Sequence, residues 1–177
     1  MAIVSVERVR DELQKMLLQP DPQPGFAFLA VTELLLDVLP AVAAAGLAPD
    51  QVGARSHLVA TTPTERWAAL LLDADPDARP QELRRLKPSA DLARSVDWLT
   101  DAEPWLEPGV APSTDEDLRR AAVAAPNGHV LESRLAWLRD LRGDAPVDDL
   151  VASEESLARL RNAEPDLDQP QPPLSGT

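Results

Sequence analysis

From Val6 to Leu160 the apolar residues of this chain recur at intervals of three and four, and strand-like alternation is nearly absent, so the fold open to it is helical. Val6, Val9, Leu13, Met16 and Leu17 draw one apolar face on a first helix, opposite a polar face of Glu7, Arg10, Asp11 and Gln14. Ser5 stands where an N-cap accepts a backbone N–H, and Glu7 in the first turn favours the positive helix end. Prolines at 20, 22 and 24 stop that helix. The stretch from Gly25 to Leu39 is so apolar that it is expected to be the buried centre of the N-terminal unit, followed by a short helix from Ala41 closed by Gly46. Thr62-Pro63-Thr64-Glu65 spells a capping box with proline at the first helical position, and predicts a helix running through Trp67, Leu70, Leu71 and Leu72. Further helices are expected at about 79–87, 89–101, 114–124 behind a second capping box at Ser113-x-x-Glu116, 129–142 and 153–162. The predicted class is all-α, an irregular multi-helix array with units at 1–60 and 61–142 and a short acidic helical tail at 143–164. The Pro-rich end at 165–177 has too little apolar content to offset its ordering entropy and is expected to be disordered.

Composition removes several classes of function. The chain has 177 residues, 44% of them hydrophobic, as in a globular protein with one filled core or two small ones. Its longest apolar run is broken by Glu33 and Asp37, so no membrane span is expected, and with no secretory leader visible the expected location is cytoplasmic. With no cysteine there is no disulfide or thiolate chemistry, and His57 and His129 lie too far apart to form a recognisable metal-ligand spacing, so no metal or cofactor is expected. The net charge of -13 disfavours a polyanionic partner, yet it is unevenly placed. Arg8, Arg10 and Lys15 cluster at the start, and Arg79, Arg84, Arg85, Lys87 and Arg94 in the middle, while acids crowd the last quarter. A plain solvated acidic surface remains the competing reading of that charge.

The segment Val4 to Leu13, V-S-V-E-R-V-R-D-E-L, fits the pattern S-x-E-R-[IV]-x-x-E-L. That pattern resembles the motif opening the RNA-binding neck helix of class II tRNA nucleotidyltransferases, the CCA-adding enzymes and their bacterial poly(A) polymerase relatives. Met16 to Pro40 is similar to that family's continuation, a helix, a proline-containing turn and a second helix ending in Leu-Pro. The resemblance implies an all-helical neck at 1–60 and body at 61–142, and gives Ser5, Glu7, Arg8 and Glu12 a supporting role in the neck motif. It further implies tRNA as partner, bound through phosphates without base readout, with Arg10, Lys15, Arg84, Arg85, Lys87 and Arg94 as candidate contacts. On the same resemblance the chain begins where a catalytic head would end.

The family's head supplies a G-G-x-V-R-D turn and a D-x-D pair on a strand for metal-assisted nucleotidyl transfer, and neither that turn nor a strand-borne pair is read in these residues. Asp73-x-Asp75 follows a capped helix and precedes Pro76, and reads as a helix end instead of a metal pair. Arg66 to Asp75 resembles the R-x-A-x-L-L-H-D segment of relatives with an HD phosphohydrolase core, but Leu72 stands in place of the histidine, so hydrolysis is not expected. No nucleotidyl transfer by this polypeptide alone is expected, and a separate head-domain protein is an expected partner. Of the four tryptophans Trp67, Trp98, Trp105 and Trp137, three lie in apolar helical rows and are expected to pack in the core. The alternative function is a helical protein–protein interaction module without autonomous RNA binding.

Overall fold

A computed structural model describes residues 5–58, 62–126 and 128–168, with the side chains of His57 and Leu58 not included. The described residues carry eleven α-helices and no strand. They fall into two compact units, Met1–Glu103 and Pro104–Thr177. No helix among them is long and apolar enough to cross a membrane.

The first unit holds α1 (Val6–Leu17), α2 (Gln23–Val31), α3 (Leu34–Val38), α4 (Pro40–Ala43), α5 (Ala54–Leu58), α6 (Pro63–Leu71), α7 (Arg79–Leu86) and α8 (Ala90–Thr100). Its centre is α6. The Thr62 hydroxyl accepts the Glu65 N–H and the Glu65 carboxylate accepts the Thr62 N–H, forming the capping box that the sequence spells. Every residue from Trp67 to Leu72 is buried, because α6 packs against α1, α5 and α8 at once. Two arginines satisfy the carbonyls that helix ends leave over. Arg66 donates to the Leu17 and Gln19 carbonyls past α1, and buried Arg79 donates to Leu71 (2.9 Å), Ala74 (3.0 Å) and Leu72 (3.3 Å) past α6 while pairing with Glu103 at 2.7 Å.

The expectation of a buried centre at Gly25 to Leu39 is corrected here. The Thr32 hydroxyl bonds back to the Phe28 carbonyl at 2.7 Å, a local alternative to the helix ladder, and Glu33 then takes a left-handed backbone at φ 63°. The segment divides into α2 and α3, which bury Phe26 and Leu35 and leave Phe28, Val31, Leu34 and Leu36 exposed. An element apolar on all sides can bury only as many faces as it has neighbours, and α6 already holds the enclosed position.

Gly53 locks the turn before α5. Its φ is +70°, a Cβ there would stand 2.8 Å from the Phe26 ring, and its N–H donates to Asp73 at 3.0 Å. We expect Gly53→Ala to lose roughly 2 to 3 kcal/mol from backbone strain and clash together, which a thermal melt followed by circular dichroism would show as a drop of about 10 °C or more. An unchanged midpoint would mean that the turn is not held as described.

The second unit is built from α9 (Asp115–Val123), α10 (Leu131–Arg142) and α11 (Asp148–Ala163). Leu118, Leu131, Leu135, Leu138, Leu150 and Leu157 fill its core. The cap of α9 lies one residue beyond the expected box: Thr114 accepts the Asp117 N–H at 3.1 Å and bonds its carboxylate at 2.7 Å. Helix α11 starts at Asp148, earlier than the expected 153, because Leu150 reaches the core and Asp149 is anchored by Arg142. Residues 165–168, expected to be disordered, form a turn in which Leu167 is buried and Asp168 pairs with Arg161 at 2.7 Å. The rest of that Pro-rich end, 169–177, lies outside the described residues. Trp67, Trp98 and Trp137 are buried, and Trp105 carries the Arg134 guanidinium 4.6 Å above its ring.

Candidate nucleic-acid interface

The polar face of α1 forms one wall of an open groove within the first unit. Glu7, Arg10, Asp11 and Gln14 follow the i, i+3, i+4, i+7 spacing that places them on one stripe. The Ser5 hydroxyl starts that stripe by accepting the Arg8 N–H at 3.3 Å. Arg10, Asp11 and Gln14 face Lys87, Pro88, Ser89 and Leu92 across a hollow of about 460 Å³.

The opposite wall comes from the junction of α7 and α8. Helix α7 ends with Lys87 in the left-handed conformation at φ 49°, and Ser89 starts α8 by accepting the Leu92 N–H at 3.2 Å. The Arg10 guanidinium donates 2.5 Å to the Lys87 carbonyl and, from two of its nitrogens, 2.8 and 3.1 Å to one Asp11 carboxylate oxygen. The Lys87 ammonium pairs with Glu7 at 3.0 Å. Arg10 and Lys87, 77 residues apart in sequence, thus stand side by side, each with one acid of α1 beside it. The Glu7 carboxyl is held below its usual range by its own backbone N–H first and by Lys87 second. Both pairs are surface ion pairs, worth about 0–1 kcal/mol each, so an incoming phosphate can replace either acid at little cost. A guanidinium bound on two edges still matches a phosphate better than an ammonium does.

The remaining candidate cations separate. Lys15 pairs with Glu12 at 2.9 Å on the outer side of α1, and Arg94 pairs with Asp91 at the start of α8. Arg84 is exposed on α7 and forms no ion pair among the described residues. Burial and Asp101 hold the Asp97 carboxyl above its usual range, against the pull of Arg84. Arg85 turns away from the groove: it grips buried Glu82 at 2.7 Å and donates to the Val38 carbonyl, while Glu82 accepts the Ala41 N–H at 2.7 Å. Arg85 therefore ties α7 to α3 and α4. Of the neck-motif residues, Ser5 caps, Glu7 braces α1 on Lys87, Glu12 pairs with Lys15, and the Arg8 side chain is exposed.

Asp73 and Asp75 each close a backbone turn. Asp73 accepts the Gly53 N–H and Asp75 accepts the Asp77 N–H at 2.9 Å. Burial raises the pKa of Asp73, opposed by that N–H and by Arg55 and Arg79. The groove residues not anticipated from the sequence are Pro88, Ser89 and Leu92; the S-A-D-L run after Pro88 carried an N-cap signal, but nothing local pointed it at α1.

Residues 1–45 match a family model described as "Probable RNA and SrmB- binding site of polymerase A". The match covers about a quarter of the 177 residues, from α1 to α4, and includes Arg10 but not Lys87. The N-terminal segment is therefore similar to a polymerase A RNA-binding region. No curated protein and no solved structure matches the chain.

Proposed function

We propose that the chain binds RNA, specifically tRNA, and positions its 3′ end for a CCA-adding or poly(A)-polymerase-type nucleotidyltransferase head present on a separate protein in the cytoplasm. In this reading residues 1–60 take the neck role and 61–142 the body role. The observation that carries it is the pairing of Arg10 and Lys87 across a groove whose first wall lies in the segment similar to a polymerase A RNA-binding region. Arg10 and Lys87 contact adjacent phosphates of the acceptor arm, Arg84 and Arg94 extend the track, and Lys15 steers from α1. Such contacts position a backbone and carry no sequence information. Arg85, engaged with Glu82, serves this site by holding α7 in place.

Binding of the purified chain to tRNA lacking its CCA end, measured at two salt concentrations beside an unrelated acidic helical protein, tests the reading. Saturable binding that weakens steeply with salt is expected. No binding at low salt would overturn it.

A second reading is a protein-interaction module, favoured by the exposed apolar side chains of α2 and α3 and by the net charge of -13. The description of the matched family, which names a protein beside RNA, is in keeping with it. This reading uses a different face of the first unit and, unlike the first, gives the chain no autonomous RNA binding.

A further inference from the structure

We propose that the exposed ledge of α2 and α3 docks an amphipathic helix of a partner protein whose apolar stripe is flanked by Lys and Arg; this rests on the protein-partner reading above. Phe28, Val31, Leu34 and Leu36 are 62%, 70%, 45% and 59% exposed within nine consecutive residues. Exposed apolar side chains ordinarily scatter singly, so a grouped set of large ones marks an interaction surface. Phe28 and Val31 are one turn apart on α2, and α3 packs directly against α2. Hydrogen bonds of the break, Glu33 N–H to Ala30 and Leu36 N–H to Glu33, both at 3.2 Å, hold the two short helices in one bent ledge.

The charge around this ledge names the partner's chemistry. Residues 16–54 contain no Lys or Arg, and their charged residues are Asp21, Glu33, Asp37 and Asp50. Glu33 and Asp37 lie within the ledge itself and are exposed. Arg85, whose side chain reaches the Val38 carbonyl, is neutralised by Glu82. An apolar face with an acidic rim repels phosphates, which disfavours RNA and anionic lipid, and complements a basic amphipathic helix anchored at i, i+3, i+4 and i+7.

The probe is a fluorescent Leu/Lys peptide of roughly 18 residues, about five helical turns, with a helical apolar stripe. Its controls are a scrambled peptide and a Leu/Glu version, and anisotropy is read on the full chain. We expect saturable binding of the Leu/Lys helix, at least tenfold weaker for Phe28→Ser/Val31→Ser and severalfold weaker for Asp37→Lys, with no binding of the Leu/Glu peptide. Both sites are already solvated, so these variants keep the fold, and their circular dichroism verifies it. Equal binding of the scrambled peptide, or undiminished binding by the serine variant, would overturn the proposal, as would concentration-dependent dimerisation that the serine variant abolishes. tRNA affinity of the same variants is a separate readout: its loss would assign the ledge to RNA and overturn the proposal, whereas unchanged tRNA binding leaves the RNA reading standing whichever way the peptide result falls.

Discussion

Asp149→Ala is expected to destabilise the second unit more than any other single substitution considered, by about 3 to 5 kcal/mol, the range for breaking a buried ion pair on one side. The Arg142 side chain is 1% exposed. It donates to the carbonyls of Trp105 (2.5 Å), Glu107 (3.0 Å) and Pro146 (2.8 Å), and to both oxygens of Asp149 at 2.5 and 2.9 Å. Asp149 in turn accepts the N–H groups of Gly109 at 2.9 Å and Ala111 at 3.2 Å. Truncating the carboxylate leaves a buried guanidinium without its counter-charge and two backbone donors without an acceptor. For a unit of this size each kcal/mol moves the midpoint by about 4 to 8 °C, so a fall of at least 12 °C is expected in a thermal melt. The paired replacement Arg142→Met/Asp149→Leu should recover part of that loss, since no charge then remains buried. A change below about 1 kcal/mol in the single variant would show that the network is a surface ion pair in effect.

The same network sets an acid limit. Arg142 first, then the Ala111 and Gly109 N–H groups, hold the Asp149 carboxyl well below the usual carboxylate range. Its folded value lies below its unfolded value of about 3.9, so its contribution is complete above pH 4 and is lost as pH falls toward the folded value. The stability of the wild-type second unit should therefore decline below about pH 4, and Asp149→Asn should flatten that part of the profile.

The second large effect is on RNA binding. Arg10→Gln/Lys87→Gln should lower the slope of log affinity against log salt by roughly 1.5 to 2, the counterions of two phosphate contacts. On the proposed function, affinity for tRNA should fall alike across sequences, since contacts to phosphates carry no sequence information. The Gln side chains remove one long-range hydrogen bond, Arg10 to the Lys87 carbonyl, and two surface ion pairs, Arg10 to Asp11 and Lys87 to Glu7, so the melt should change little. The converse variant, Glu7→Gln/Asp11→Asn, removes the acids that compete for the same cations and should tighten binding severalfold. An unchanged salt slope in the first variant, or weakened binding in the second, would move the phosphate track away from this groove.

The features legible in the residues alone are local. The helical period, the capping box at Thr62 to Glu65, the proline stop after α1 and the polar stripe of Glu7, Arg10, Asp11 and Gln14 depend on residues within a turn or two of one another, and each is found where the spacing places it. The all-helical class follows from the same period. What tertiary structure alone decided is which apolar segment is enclosed and which cations meet. Gly25 to Leu39 and Trp67 to Leu72 are both apolar enough to be a centre, and only the packing of α6 among α1, α5 and α8 gives that place to the second. Arg84, Arg85 and Lys87 look equivalent in sequence, yet among the described residues one is exposed without an ion pair, one is spent on Glu82 and Val38, and one faces Arg10. The physical reason is range: backbone hydrogen bonding and helical spacing act over a few residues, whereas burial and charge pairing act between whatever the folded chain brings within a few ångströms.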